Sequence, residues 1–210
     1  MDTIKGNYFL LCENRYKNGS SDIQEHLPTL YSYAKECDSV FETGVRGCIS
    51  SWAFLYGLLD NTSQTQKRLF LNDIEQCDIS DLLQISKDFN NIEVKYEWKN
   101  NLHLEFNETY DITFIDTWHV YGQLKRELEK FSKITNKYII MHDTTVDEKY
   151  GESIRCKHNV NHLSNISGIP VNEITKGLGP AIIEFLQDHP DWYLKEKYIN
   201  NNGLTILRKR

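Results

Sequence analysis

Two short stretches carry residue types able to do metal and proton-transfer chemistry. "FIDTWHV" (114–120) places Asp116 three residues before His119, and "IIMHDT" (139–144) places His142 beside Asp143. Two carboxylates that leave positions open to water suit Mg²⁺ or Mn²⁺, hard cations that prefer oxygen. The imidazole of His142 would tilt the choice towards Mn²⁺. A bound cation acidifies a hydroxyl that contacts it: on zinc, the pKa of water falls from about 15.7 to about 7. A histidine titrating near pH 6.5 can then take the released proton, which makes His119 the candidate general base. The competing reading is structural, with Asp116 and Asp143 capping turns or helices.

A third stretch, "VFETGVRGCISSWAF" (40–54), reads as a strand, a tight turn and a helix. Gly44 and Gly47 do not complete GxGxxG, and no Lys-Ser/Thr pair follows, so a P-loop is excluded. The turn still brings backbone towards a ligand, with Ser50 at the start of the helix. Glu42 discriminates between ligands. A carboxylate there repels a pyrophosphate and suits a cationic group. Asp73, closing the second strand, is placed to accept bonds from ribose hydroxyls. A ligand with a ribose, no phosphate and a positive end is S-adenosylmethionine. Trp98, after the third strand, is read either as a partner for the adenine or as core packing. Asp116 is counted with the cofactor set as well as with the metal.

These residues need elements to position them. Strands are expected at 38–44, 67–73, 91–98, 110–116 and 137–143. Helices are expected at 49–60, 78–89, 121–134 and 179–189, the second of them capped by Asp78 or Ser80. Segment 1–37 is expected to be helical. Residues 145–178 show no clear element and read as a lid. "WYLKEKYI", "NNNG" and "LTILRKR" make a closing hairpin with Asn-Gly at its turn. The alternation predicts an α/β, Rossmann-like, doubly wound sheet of about seven strands, mostly parallel, with a C-terminal antiparallel hairpin strand. In such sheets ligands sit beyond the carboxyl ends of the strands.

Composition bounds the function. The 210 residues are 40% hydrophobic, and a formal net charge of −6 argues against nucleic acid as partner. The five cysteines, at 12, 37, 48, 77 and 156, are odd in number and lack CxxC spacing. A reducing, cytoplasmic setting without disulfides or structural zinc is therefore expected. The N-terminal apolar run is too short for a signal or a membrane span. The chain begins and ends close to recognisable structure, as an excised domain would. His26 reads as closing over a ligand or as a surface histidine, and Trp118 and Tyr121 as aromatic walls for a sugar.

"FETGVRGCISSWAF", "FIDTWHVYGQLKREL", "IIMHDT" and "GLGPAIIEFLQDHPDWYLKEKYINNNGLTIL" resemble class I S-adenosylmethionine-dependent methyltransferases. The nearest branch is the metal-dependent sugar O-methyltransferases, similar to the macrocin and mycinamicin enzymes and to cephalosporin-hydroxylase-like proteins. The resemblance runs from about Ile23 to the end. It also extends to methyltransferase domains attached to glycosyltransferases, including those of large algal viruses. It implies a sugar or glycan acceptor, a divalent metal held by Asp116, His142 and Asp143, and His119 as base. Two departures stand out: Arg46 and Cys48 occupy a turn that is usually richer in glycine, and His142-Asp143 stands where related sites often carry two acids. The third metal ligand is therefore open. Two rival readings remain, a small-phenol or catechol methyltransferase with a narrow apolar pocket, and a non-catalytic domain of a glycan-building protein.

Overall fold

A computed structural model of the chain describes residues 21–210, so Cys12 and the first part of the expected 1–37 segment lie outside the described residues. Among the described residues, the first elements are a 3₁₀ turn at Gln24–His26 and α1 (Leu27–Lys35). Seven strands follow: β1 (Ser39–Thr43), β2 (Lys67–Asp73), β3 (Ile92–Trp98), β4 (Tyr110–Ile115), β5 (Thr135–His142), β6 (Trp192–Tyr198) and β7 (Leu204–Lys209). They form one sheet in the order β3-β2-β1-β4-β5-β7-β6. β1 pairs parallel with β2, and β2 with β3. β7 runs antiparallel to both β5 and β6. This is a mixed, Rossmann-like sheet with the expected antiparallel insertion.

The physical reasons are local. Every residue of β1 is buried, as a strand covered on both faces requires. The hairpin between β6 and β7 turns through Asn201, Asn202 and Gly203, all at positive φ (44°, 67° and 95°), which asparagine and glycine tolerate best. The helices α2 (Ile49–Asp60), α4 (Tyr121–Phe131) and α8 (Leu178–Asp188) start and stop within three residues of expectation. α3 (Ser80–Ser86) is shorter than the expected 78–89. Its N-cap position is Ile79, without a side-chain cap, so neither Asp78 nor Ser80 caps it as expected; the Asp78 carboxylate accepts from the Ser80 amide at 3.0 Å just ahead of the helix.

Residues 145–178 depart from expectation. They contain three short helices, α5 (Glu152–Arg155), α6 (Val160–Ser167) and α7 (Val171–Ile174). Elements of four to eight residues complete too few turns to print a helical period. α6 and α7 are held instead by a small apolar cluster of Val120, Ile169 and Ile174, against which Trp118, Val160 and Leu163 pack.

The described residues group into two compact units, one ending at Phe114 and the other running from Ile115 to Arg210. The first is built on stacked and edge-on rings of Phe41, Phe70, Phe106 and Tyr110. Its α1–α2 crossing is close: a Cβ on Gly57 would lie 2.5 Å from the Tyr31 carbonyl oxygen. In the second, Leu124, Leu128 and Phe131 of α4 are buried along one face, as the sequence predicts. No described helix is long and apolar enough to cross a membrane. Cys37, Cys48, Cys77 and Cys156 are free thiols.

Candidate active site

In the first unit, the turn after β1 is organised by backbone bonds to side chains. Gly44 takes φ 90°, and its N–H donates to the Asn72 carbonyl at 2.9 Å. Arg46 (φ 41°) and Cys48 (φ 59°) are also left-handed, a conformation costly for residues with a Cβ. The turn is held by Asp73, whose Oδ2 accepts from the Arg46 amide at 2.8 Å and whose Oδ1 accepts from the Glu75 amide at 2.9 Å. Carboxylate oxygens accept more than one bond each, so both keep capacity for hydroxyl donors. Beside it, Asn101 Nδ2 donates to Thr43 Oγ1 at 3.0 Å, and Thr43 donates to Asn72 Oδ1 at 2.8 Å.

Glu42 is fully buried, and Ser50, in the first turn of α2, donates a short hydrogen bond to its Oε1. The solvated glutamate of the structural reading is therefore absent, and a buried carboxylate needs partners of this kind. Burial, reinforced by the Glu42 charge, pushes the Cys48 thiol up to about 12, so it is no thiolate nucleophile. A Cβ on Gly47 would meet nothing within 4 Å, leaving open space beside the turn. Trp98 is 60% exposed, with Nε1–H donating to the Ile74 carbonyl at 2.8 Å, which overturns the core-packing reading. His26 is buried, not a surface histidine.

In the second unit, the ends of β4 and β5 bring Asp116, His119, His142 and Asp143 together. His119 Nε2 lies 3.1 Å from Asp116 Oδ1, and its Nδ1 lies 3.1 Å from Asp143 Oδ2. His142 Nδ1 is 3.4 Å from the same Asp116 oxygen and 3.7 Å from Asp143 Oδ2. The other ring nitrogen, Nε2, lies 3.1 Å from the Asn201 carbonyl, to which it can only donate. Nε2 therefore carries a proton, as the outer nitrogen of a metal-bound histidine does, and Nδ1 is the nitrogen turned to the acids. Asp143 sits at φ 56°, a left-handed residue directly after the strand.

Asp116, His142 and Asp143 each offer a ligand atom within 4.8 Å of the others, and so do His119, Asp143 and Asp147. The nitrogen and carboxylate donors suit a divalent cation of the Mn²⁺ or Mg²⁺ type. A small cavity with room for about one water opens against Thr117, His119, Glu127 and His142. The buried Glu127 carboxylate accepts from Thr117 Oγ1 at 2.6 Å and from Gln123 Nε2 at 2.8 Å, tying α4 to the loop after β4.

The charges hold one another. Burial alone would lower the His119 pKa, but its bond to Asp116 and the charges of Asp116, Asp143 and Glu152 carry it up to about 9. His142 is raised in the same way, against burial, by Asp116 and Asp143. Burial works to raise Asp116, yet its bonds to the two imidazoles hold it well below the usual carboxylate range. Without a cation, then, both imidazoles are held towards their charged form by the acids around them.

Three members of this cluster escaped the sequence reading. Asp147, fully buried, is 3.5 Å from His119 Nδ1 and forms a two-bond pair with Arg155, at 2.8 and 2.7 Å. Glu152 Oε2 lies 3.6 Å from the same nitrogen. All three lie in 145–178, where no periodicity pointed to a fixed position. The aromatic walls are corrected too. Trp118 donates to Ser153 Oγ at 3.0 Å and packs on the small apolar cluster, while Tyr121 is buried and donates to Glu184 at 2.6 Å. Neither ring is displayed as an open sugar platform.

No protein-family model matches the chain, and no curated protein sequence matches it. Solved structures do. An O-methyltransferase from Bacillus cereus, in complex with S-adenosylhomocysteine, is similar over 100% of this chain and 92% of its own, at a TM-score of 0.55 and 12% identity. The N-methyltransferase NodS from Bradyrhizobium japonicum, with S-adenosyl-L-homocysteine, matches over 97% and 98%, at 0.54 and 13%. The O-methyltransferase TomG from Streptomyces achromogenes, involved in tomaymycin synthesis and holding S-adenosylmethionine, matches over 89% and 80%, at 0.53 and 10%. At such identities the likeness is one of fold.

Proposed function

We propose that this protein is an S-adenosylmethionine-dependent O-methyltransferase that methylates a sugar hydroxyl, on a glycan or glycoside, with a divalent metal and a histidine base. The observation that carries this reading is the meeting of Asp116, His119, His142 and Asp143, with His142 Nδ1 turned to the acids by the Asn201 carbonyl. The fold, shared with structures that hold S-adenosylmethionine or its product, supports the cofactor.

S-adenosylmethionine, when bound, supplies an electrophilic methyl group on a positive sulfur. A divalent cation, when bound, lowers the pKa of a hydroxyl beside it. The chain's residues divide the remaining work. In the first unit Asp73 accepts the ribose hydroxyls, Gly44 and Gly47 give backbone access, Trp98 flanks the adenine, and Glu42, set by Ser50, favours the cationic end. In the second, Asp116, His142 and Asp143 would hold the metal; Asp116 is assigned here and not to the cofactor. With Nε2–H donated to Asp116, His119 keeps Nδ1 as the atom that receives the proton. A ring held near pH 9 is already protonated at neutral pH and cannot be a base. The base role therefore holds only if a cation bound among the acids offsets their charge and brings the ring back to neutral. The polar makeup of residues 145–178 favours a hydrophilic acceptor over a catechol. An associated glycosyltransferase would supply that acceptor.

The test is methyl transfer to a panel of monosaccharide glycosides and catechols, followed by mass spectrometry, with and without chelator. A methyl gain on a glycoside, abolished by EDTA and restored by Mg²⁺ or Mn²⁺, is expected. Transfer to catechols alone removes the sugar reading, and full activity after chelation removes the metal.

A further inference from the structure

Helix α5 spans only Glu152–Arg155, too short to be stable on its own, yet three of its four residues bond the acid–histidine loops. The Glu152 amide donates to the His119 carbonyl at 2.9 Å, and the His119 amide donates back to Glu152 Oε2 at 3.4 Å. Buried Ser153 accepts from Trp118 Nε1 at 3.0 Å, next to His119 in the chain. Arg155 holds Asp147 with two bonds.

We propose that Glu152 is a positioning residue for His119, so that docking of α5 sets the orientation of the base. The inference rests on His119 being that base. Of the three carboxylates that face Nδ1, Glu152 stands farthest, at 3.6 Å, and its carboxylate also accepts from the main chain of residue 119. A reciprocal pair of this kind restrains both backbone and ring. The Glu152 side chain is 28% exposed, so its removal costs the core little. Small displacements of a reacting group, by contrast, can cost on the order of 10² in rate.

Two variants separate position from charge. Glu152→Gln keeps an acceptor for the His119 amide and loses the charge, whereas Glu152→Ala loses both. With the glycoside that responds in the panel, Glu152→Ala should lower kcat on the order of 10²-fold, with KM for S-adenosylmethionine and Mn²⁺ affinity unchanged. Glu152→Gln should recover most of the rate. Imidazole ¹⁵N spectra give a readout that needs no acceptor: the His119 ring signals should broaden or split in Glu152→Ala and stay wild-type-like in Glu152→Gln. Wild-type kcat with sharp His119 signals in Glu152→Ala would overturn the proposal, as would equal losses in both variants or a loss of Mn²⁺ affinity. If His119→Ala itself retains wild-type kcat, the base assignment has failed, and the spectra alone still decide whether Glu152 orders the ring. Should Glu152→Ala fail to fold, Ser153→Ala should show a weaker loss in kcat of the same kind, and no loss there counts against α5.

Discussion

The turn after β1 and the cluster after β4 and β5 are both polar sites at strand ends, but they are satisfied in opposite ways. In the turn, side chains bond to backbone: Asp73 accepts from the amides of Arg46 and Glu75, and Asn72 donates to the carbonyls of Glu97 and Lys99 at 2.9 and 2.8 Å. Such a site is fixed before any ligand arrives. In the cluster, ionisable side chains hold one another, and two histidines are pushed up while Asp116 is pushed down. Its state therefore depends on what positive charge is present. The contrast separates a turn fixed by its own backbone from a cluster whose protonation answers to the charge around it.

The sharpest way to break that contrast is His119→Ala. If the cluster does proton transfer, the variant should lose roughly 10²–10⁴ in rate, the scale of general acid–base catalysis, while still binding Mn²⁺ and S-adenosylmethionine. Partial recovery at high pH is expected, because an acidified hydroxyl can ionise unaided. Asp116→Ala and Asp143→Ala should instead lose metal affinity and show no alkaline rescue. A pH–rate profile of the three variants at two metal concentrations checks this. If His119→Ala recovers with added metal, the residue is a ligand and the base lies elsewhere, His142 being next.

A second effect is in stability. The folded His119 pKa, about 9, stands above its unfolded value near 6.5. Its contribution is therefore fully present below about pH 6.5 and lost as pH rises through about 9, on the order of 3 kcal/mol in all. Urea titrations of chelated protein should show stability falling across that window, and His119→Ala should flatten the slope. With Mn²⁺ bound the slope should also vanish, since the ring is then neutral. A chelated wild type with no slope would mean that the ring is not held cationic.

How far the two sites were legible in sequence follows the same division. The turn was readable because each residue follows a strand or opens a helix whose pattern is strong: β2 and α2 begin and end where their periodicity places them. The first members of the cluster, Asp116, His119, His142 and Asp143, were readable for that reason too. Asp147, Glu152 and Arg155 were not, because four-residue α5 prints no period and is fixed by side-chain bonds between segments distant in sequence. Trp118 and Tyr121 were misjudged as open walls, and Trp98 was left between packing and ligand contact, because aromatic residues serve packing, hydrogen bonding and ligand contact alike, and burial is decided only in three dimensions.

On the preorganised side the expected effects are smaller. Asp73→Ala should weaken S-adenosylmethionine binding by about 1.5–3 kcal/mol, the scale of bonds to a charged group. Isothermal titration measures it directly, and unchanged affinity in a folded variant removes Asp73 from the ribose role. Because the same change frees the Arg46 and Glu75 amides, part of the loss should appear as a less ordered turn in the unliganded protein.

Gly47→Ala should produce the smallest change, and it separates two explanations of the glycine. A methyl group there meets no atom within 4 Å, and Gly47 is not among the left-handed glycines, unlike Gly44 at φ 90°. Neither packing nor backbone strain therefore demands glycine, and the unliganded stability should stay within about 0.5 kcal/mol of wild type. If the open space is where S-adenosylmethionine approaches the backbone, the methyl should still weaken cofactor binding, because the ligand would occupy the volume that the new group takes. Thermal melts with and without cofactor show both effects in one experiment: equal melting of the two unliganded proteins, and a smaller cofactor-induced rise for Gly47→Ala. A rise equal to wild type would mean that the ligand does not approach the turn at Gly47, leaving Asp73 and Glu42 to define the site without it.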